Sequence, residues 1–341
     1  MIDPRVDRRW QLFVAGHARS SVFHETGWFQ ALHHTYGFEP FVITTANHGE
    51  PLRNGVVACR VASWITGKRL ISLPFSDHCE PLVDSEGELQ EFLGWLRADC
   101  TESGAKYLEL RPLTTHEFGI DPGDGAPWYY LHTIDLTPCV SAIFASLHED
   151  SMQRRIRRAQ RELTCEVGRS DSLLEEFYRL LVLTRRRHGV PPQPRGWFRN
   201  LMRCMGDQLE IRVARKENVA VASMMTLRHK STVVYKYGGS DANYHYLGGM
   251  PFLFWDLIET SRVCGATEID LGRSDPDNHG LITFKDRLGS KRRLIRYYRH
   301  PHASHNRVKS ILRRAHWERV FSIVPTKIMP TIGSIFYRHL G

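Results

Sequence analysis

The chain has 341 residues, 42% of them hydrophobic, and carries a formal charge of +9 with a pI near 9.3. That is enough apolar content for two packed domains, and no run of about 18 apolar residues exists to cross a bilayer as a helix. Seven cysteines (Cys59, Cys79, Cys100, Cys139, Cys165, Cys204, Cys264), odd in number and without a C-x-x-C pair, argue against a disulfide framework and a zinc ribbon and read as small buried apolar residues.

The opening Met1-Ile2-Asp3-Pro4-Arg5 has no apolar stretch of the signal-peptide kind, which gives the expectation of a cytoplasmic protein. Trp28, Leu32 and Tyr36 fall at helical spacing in Gly27 to Tyr36. Strands are predicted over Pro40 to Thr45, Gly55 to Ser63 and Arg69 to Leu73, with Gly67-Lys68 as a turn. A helix over Glu86 to Ser103 and a strand over Tyr107 to Arg111 close this first unit. A linker rich in Gly, Pro and Asp (His116 to Pro127) then leads to Thr133-Ile134-Asp135-Leu136 and a predicted helix over Ala142 to Leu163.

A second unit repeats the scheme. Leu173, Phe177, Leu180, Leu181 and Thr184 share a face of a helix over Ser172 to His188, which Pro191-Pro192-Gln193-Pro194 stops, and Trp197 to Met205 is a short helix. Three antiparallel strands are predicted over Leu209 to Arg215, Val219 to Arg228 and Ser231 to Gly238. Gly248-Gly249-Met250-Pro251 opens a helix to Cys264, with proline in the first turn, and Glu268 to Leu271 is the last strand. Gly27-Trp28-Phe29 and Gly196-Trp197-Phe198 open the two units, and Gly104-Ala105 and Gly265-Ala266 close them after 77 and 69 residues. Each closing strand carries a carboxylate followed by an arginine. Such a period points to two tandem domains of one type with a cleft between them.

The basic residues are clustered: Arg154, Arg155, Arg157, Arg158 and Arg161, then Arg185-Arg186-Arg187, then six more from Lys285 to Arg296, then the tail from Arg307 to Arg338. Each cluster reads either as a solvated face or as a phosphate-attracting patch. In the tail, Val308, Ile311, Leu312, Ala315, Val320, Phe321 and Val324 share a helical face among Lys309, Arg313, Arg314 and Arg319. This predicts a basic amphipathic helix, adsorbed to an anionic membrane surface or packed across the two domains. The 18 histidines include no zinc-ligand spacing, so no metal is expected.

Antiparallel strands, the loop Ser240 to Gly249, a helix and a closing strand resemble the layout of the GNAT superfamily of N-acyltransferases. There the helix N-terminus offers unpaired N–H groups to a pyrophosphate. On this resemblance His245, Gly248 and Gly249 are the cofactor-binding candidates, His245 standing where Arg or Gln is usual and Met250 where a small residue is expected. Asp270-Leu271-Gly272-Arg273-Ser274, then Phe284-Lys285, Leu288-Gly289 and Tyr297-Tyr298, resemble the Fem family of non-ribosomal peptidyltransferases. The exosortase- and exopolysaccharide-associated branch of that family is the nearest in pattern. Trp28, Tyr36-Gly37, Ser72-Leu73-Pro74-Phe75, Glu109-Leu110-Arg111 and Ile156-Arg157-Arg158-Ala159 add to the resemblance, while Leu271 and Leu288 replace the branch's aromatic residues.

The resemblance implies an α/β (α+β) fold of two tandem GNAT-like domains, over 1–140 and 141–300. Each would be a mixed, mostly antiparallel sheet flanked by helices, with a helical extension over 301–341. It implies an N-acyltransferase or aminoacyltransferase acting on a cell-envelope glycan or lipid-linked precursor. Acyl-CoA or aminoacyl-tRNA would be the co-substrate, no cofactor would be held permanently, and 306–341 would touch the inner membrane surface. Asp270 (base or amine-positioning group, otherwise a cap or ion pair with Arg273) and Lys285 (ammonium beside a developing oxyanion) are the catalytic candidates. Arg273, Ser274, Tyr237, Phe284, Arg154, Arg157 and Arg158 are the substrate-binding candidates. The alternative from another class is a non-catalytic module holding an anionic polymer or nucleic acid.

Overall fold

In the computed structural model, which describes residues 1–114, 119, 121–123, 125–301 and 328–340, two sheets are each backed by helices. The first half runs α1 Arg8–Gly16, α2 Thr26–Tyr36, β1 Glu39–Ile43, β2 Val56–Val61, β3 Arg69–Ile71, α3 Glu86–Glu102, β4 Leu108–Leu110 and β5 Trp128–Asp135. Then come α4 Val140–Ser146, α5 Arg154–Glu162, β6 Thr164–Gly168, α6 Asp171–Arg187, α7 Arg195–Met205, β7 Leu209–Lys216, β8 Val219–His229 and β9 Thr232–Ser240. The chain continues as α8 Gly249–Val263, β10 Glu268–Ser274, α9 His279–Arg287, β11 Lys291–Arg296, β12 Tyr298–His300 and α10 Met329–Leu340. Local chemistry accounts for the boundaries. The Ser170 side chain accepts from the Leu173 N–H to start α6, whose Leu173, Phe177, Leu180 and Leu181 are buried. Gly37, left-handed at φ 70°, ends α2.

Two predictions from periodicity need correction. The single helix expected over Ala142 to Leu163 is broken: Leu147 is extended (ψ 144°), and a π-helical turn at Glu149–Gln153 separates α4 from α5. Each piece buries its own apolar residues, and the mark of the break is the five-residue step from buried Leu147 to buried Met152, where a continuous helical face repeats at three or four. Strands β6 and β11 are additional; both lie at sheet edges and expose most of their side chains, so neither shows an apolar signature.

The sheets share one plan. In the five-stranded sheet, β1-β2-β3 pair antiparallel, β3 pairs parallel with β4, and β12 adds antiparallel beyond it. In the seven-stranded sheet, β6 to β9 are antiparallel, β9 pairs parallel with β10, and β5 then β11 add antiparallel beyond. The outer strands are exchanged. β5 follows the first unit but lies in the second sheet, and β12 follows the second unit but lies in the first.

The core is correspondingly divided and joined. One apolar cluster fills the second lobe under α8, another lies between the first sheet and α3, and a third and larger one spans both lobes. Helices α2 and α7, which open the two units, pack on each other with Trp28 and Trp197 edge to face, ring centroids 5.4 Å apart. A Cβ at Gly27 would lie 2.4 Å from the Cys204 carbonyl oxygen, so this close approach requires glycine.

Helix α10 rests across both lobes. Tyr337 donates to the Pro191 carbonyl at 3.2 Å, and Thr66 and Arg69 donate to the His339 carbonyl at 3.0 and 2.7 Å. The amphipathic stretch expected from Val308 to Val324, with His302 and His305, lies outside the described residues. Among the described residues no helix is long and apolar enough to cross a membrane.

Candidate active site

Strands β9 and β10 are paired only from Thr232 to Val234 and from Glu268 to Asp270, and then diverge. At the divergence β10 bulges between Asp270 and Arg273, with Gly272 at φ 72°. Into this opening comes a loop of the first lobe, Ser72 to His78, on which Phe75 adopts φ 62°. The loop is anchored from several sides. Arg111 donates to the carbonyls of Leu73 and Ser76 at 2.8 and 2.9 Å, and the Tyr297 hydroxyl donates to the Asp77 carbonyl at 2.7 Å.

The anchored loop places two residues against the second lobe. Asp77 accepts from Lys236 Nζ at 2.6 Å, with Arg273 Nε 3.9 Å away. Burial alone would raise the Asp77 carboxyl, but Lys236 and Arg273 beside it hold it below the usual range. Burial pushes the Lys236 ammonium down, against the pull of Asp77. His78 Nε2 lies 2.9 Å from Asp270 Oδ2, and Asp270 Oδ1 accepts from the Gly272 N–H at 2.6 Å. Asp270 therefore pairs with the first lobe rather than with Arg273, and the residue is 3% exposed. Arg273 instead lies over the Tyr129 ring, 4.0 Å from its centroid, and donates to Tyr297 Oη at 2.7 Å.

Lys285, on α9 and also 3% exposed, donates to the carbonyls of Gly272 and Arg273 at 2.8 and 3.1 Å. Burial pushes its pKa down to about 8, opposed by the nearby Asp77 and Asp270 and reinforced by Lys236. An ammonium has three donors, so one N–H remains after these two bonds.

Two cavities meet here. The larger, about 720 Å³, is lined by Tyr237, Lys236, Asp77, Arg273, Phe284 and Lys285, with Arg185 and Arg187 of α6 at its wall. The second, about 580 Å³, is lined by His245, Gly248, Gly249, Arg155 and Arg287, and shares Ser240, Met250, Gly280 and Phe284 with the first. Gly248, left-handed at φ 74°, caps the start of α8, whose first-turn residues Gly249, Met250 and Pro251 line this second space. His245 Nε2 lies 2.9 Å from Ser240 Oγ, and burial with nearby Arg187 lowers its pKa.

Tyr237, Arg273, Phe284 and Lys285 are thus brought to one cavity, and His245, Gly248 and Gly249 to its neighbour. Asp270 lies behind them, lining a separate space of about 160 Å³ between the lobes. Ser274 is buried, its hydroxyl without a partner among the described residues. Arg154, Arg157 and Arg158 are exposed on α5 and outside both cavities: Arg154 pairs with Asp150 at 2.9 Å and Arg158 with Glu162 at 3.0 Å, while Arg157 lies over Phe144. Their neighbour Arg155 is the one that reaches the second cavity. Asp77, His78 and Lys236 are the residues that sequence reasoning missed. The available signal was their place: Asp77-His78 directly follow the Ser72-Leu73-Pro74-Phe75 match.

The two-lobed architecture, with this opening between parallel strands in its second sheet, is GNAT-like in fold. The family model for the acetyltransferase (GNAT) domain matches residues 148–286, the stretch that forms both cavities' principal walls. No curated protein matches the chain. The crystal structure of FemX superposes with a TM-score of 0.69 at 14% identity, covering 89% of this chain and 98% of that one. The C-terminal domain (DUF2156) of a putative lysylphosphatidylglycerol synthetase from Agrobacterium fabrum gives 0.55 at 15% identity, over 91% and 95%. L-PGS from Bacillus licheniformis gives 0.51 at 15% identity, over 76% and 85%. At these identities the likeness is one of fold.

Proposed function

We propose that the chain is an N-acyltransferase or aminoacyltransferase whose acceptor is an anionic cell-envelope glycan or lipid-linked precursor. The observation that carries this reading is Lys285, a buried ammonium fixed by two carbonyls with one N–H to spare, in the wall of a cavity at the opened strand pair. The acceptor's nitrogen or oxygen attacks the acyl carbon, and the bond from that carbon to the donor's sulfur or oxygen breaks. The acceptor's proton ends on the departing atom. Lys285 stabilises the oxyanion formed on the way, and the fixed cavity holds both reactants. No covalent enzyme intermediate is needed.

Among the described residues Asp77 is the one carboxylate in the wall of the larger cavity, and it orients the attacking group. Asp270 then acts as a positioning residue: with His78 it fixes the Gly272 peptide whose carbonyl holds Lys285. Arg185 and Arg187 favour an acceptor bearing phosphate or carboxylate groups. The second cavity receives the phosphate-bearing part of the donor at the α8 N-terminus, within reach of Arg155 and His245. Acyl-CoA and aminoacyl-tRNA both fit this chemistry. The structural neighbours, the domain of a putative lysylphosphatidylglycerol synthetase among them, support acyl transfer to envelope components as the class of reaction.

Binding of a coenzyme A thioester and of a charged tRNA, each measured at stated salt, separates the donors. Transfer assays with Lys285→Met then test the chemistry. Loss of transfer with retained donor binding is expected; unchanged transfer would sink the assignment.

A further inference from the structure

The turn between β2 and β3 carries large apolar side chains where polar ones are usual. Trp64 is 83% and Ile65 49% exposed. The turn is nonetheless tightly held. Ser63 and Gly67 exchange backbone bonds of 3.2 and 2.7 Å, Ser63 Oγ accepts from the N–H groups of Ile65 and Thr66, and Lys106 Nζ donates to the Thr66 carbonyl. Two rings and branches presented on a fixed turn are built to meet something.

This turn is joined to the C-terminal end of α10. The Trp64 and His339 ring centroids are 5.3 Å apart, and Ser63 Oγ lies 3.1 Å from His339 Nδ1. One turn back on the helix, Ile335 is 59% exposed, and Ile328 just before its start is 50% exposed. Met329 and Gly333 face the body, and Tyr337 bonds it. Among the described residues, Ile328, Ile335, Trp64 and Ile65 form a broken outward apolar row, with exposed Thr331, Ser334 and Arg338 between and beside them, along a helix about 18 Å long.

The surroundings are basic. Lys68, Lys106 and Arg338 are exposed beside the row. An apolar row with an aromatic tip and a cationic surround matches an anionic bilayer surface, where tryptophan sits at the headgroup level and lysine and arginine meet lipid phosphates. The location suits access to the cavity as well. His188 and Val190 line the larger cavity, and α10 rests on the next residues, Pro191 and Pro192.

We propose that the β2–β3 turn and the outer face of α10 together form a docking surface for an anionic phospholipid membrane, with Trp64 and Ile65 as the inserted tip. The test is co-sedimentation of the full chain with vesicles of phosphatidylcholine alone and with vesicles containing about one-third phosphatidylglycerol. The expected result is binding to the anionic vesicles only, weakening as salt rises. Trp64→Ser with Ile65→Ser should reduce it about tenfold or more, with an unchanged thermal melt; Ile335→Ser should reduce it less. Equal sedimentation of the variant, or none of the unmodified chain, overturns the proposal. A dimer seen by light scattering that the same substitutions abolish, without vesicle binding, would assign the surface to a second copy instead. The measurement needs no substrate, so it stands or falls apart from the acyl-transfer reading.

Discussion

Two of the three N–H bonds of the Lys285 ammonium go to carbonyls of the β10 bulge, and burial lowers its pKa to about 8. Activity and stability should therefore respond to pH in opposite directions. A rate that needs the ammonium falls as pH rises through about 8. Stability does the reverse. Between that value and the ordinary lysine range the unfolded chain binds more protons than the folded one, so the unfolding free energy rises with pH. Lys285→Met should lower kcat/KM by about 10²–10³ and flatten both profiles; pH–rate curves and urea melts across that window check it. His78→Ala removes the side-chain partner of the buried Asp270 carboxylate, leaving it the Gly272 N–H, and should cost about 1–3 kcal/mol of stability, read by chemical unfolding. Lys285, Arg273 and Phe284 were visible in the sequence because they fall in one short stretch. Asp77, His78 and Lys236 were not, since their roles depend on contacts across 159 and 192 residues.

At the scale of elements, the β10 bulge is the part that makes the site. Gly272 takes a left-handed conformation, and a Cβ there would lie 3.1 Å from Asp77 Oδ2. Gly272→Ala should cost about 1–3 kcal/mol and move Asp77 away from Lys236, which appears as a loss of kcat larger than any change in donor affinity. Most helices and strands were legible because their apolar periods are local. The break at Leu147 left only a slip of phase, the five-residue step from buried Leu147 to buried Met152 where a continuous helical face repeats at three or four. Edge strand β11 was hidden for a different reason: Lys291, Arg292 and Arg293 read as a charge run, and only pairing with β5 makes them a strand.

For the whole molecule, the exchanged strands and the shared core bind the lobes into one folding unit. A single calorimetric transition is expected, and Trp28→Ala should cost about 3–5 kcal/mol. A cycle with Trp197→Ala should return a coupling of about 0.5–1.5 kcal/mol between the two rings. A fragment of residues 141–300 lacks β5, which lies between β10 and β11 in its sheet. It should remain unfolded by circular dichroism unless Trp128–Asp135 is restored, and independent folding of that fragment would contradict the account.

The sequence by itself determined the duplicated plan, the placement of most elements and the cationic character of the pocket wall. The elements and the charge runs are each written within ten or twenty neighbouring residues, by apolar period, turn chemistry or charge, and the duplicated plan in two such stretches, Gly27-Trp28-Phe29 and Gly196-Trp197-Phe198, read together. Only the tertiary structure decided that the Ser72 to His78 loop enters the second lobe, that Asp270 faces His78 rather than Arg273, and that β5 and β12 change sheets. Those outcomes depend on which distant surfaces come into contact, and a carboxylate's role follows from the cation and the burial it meets there.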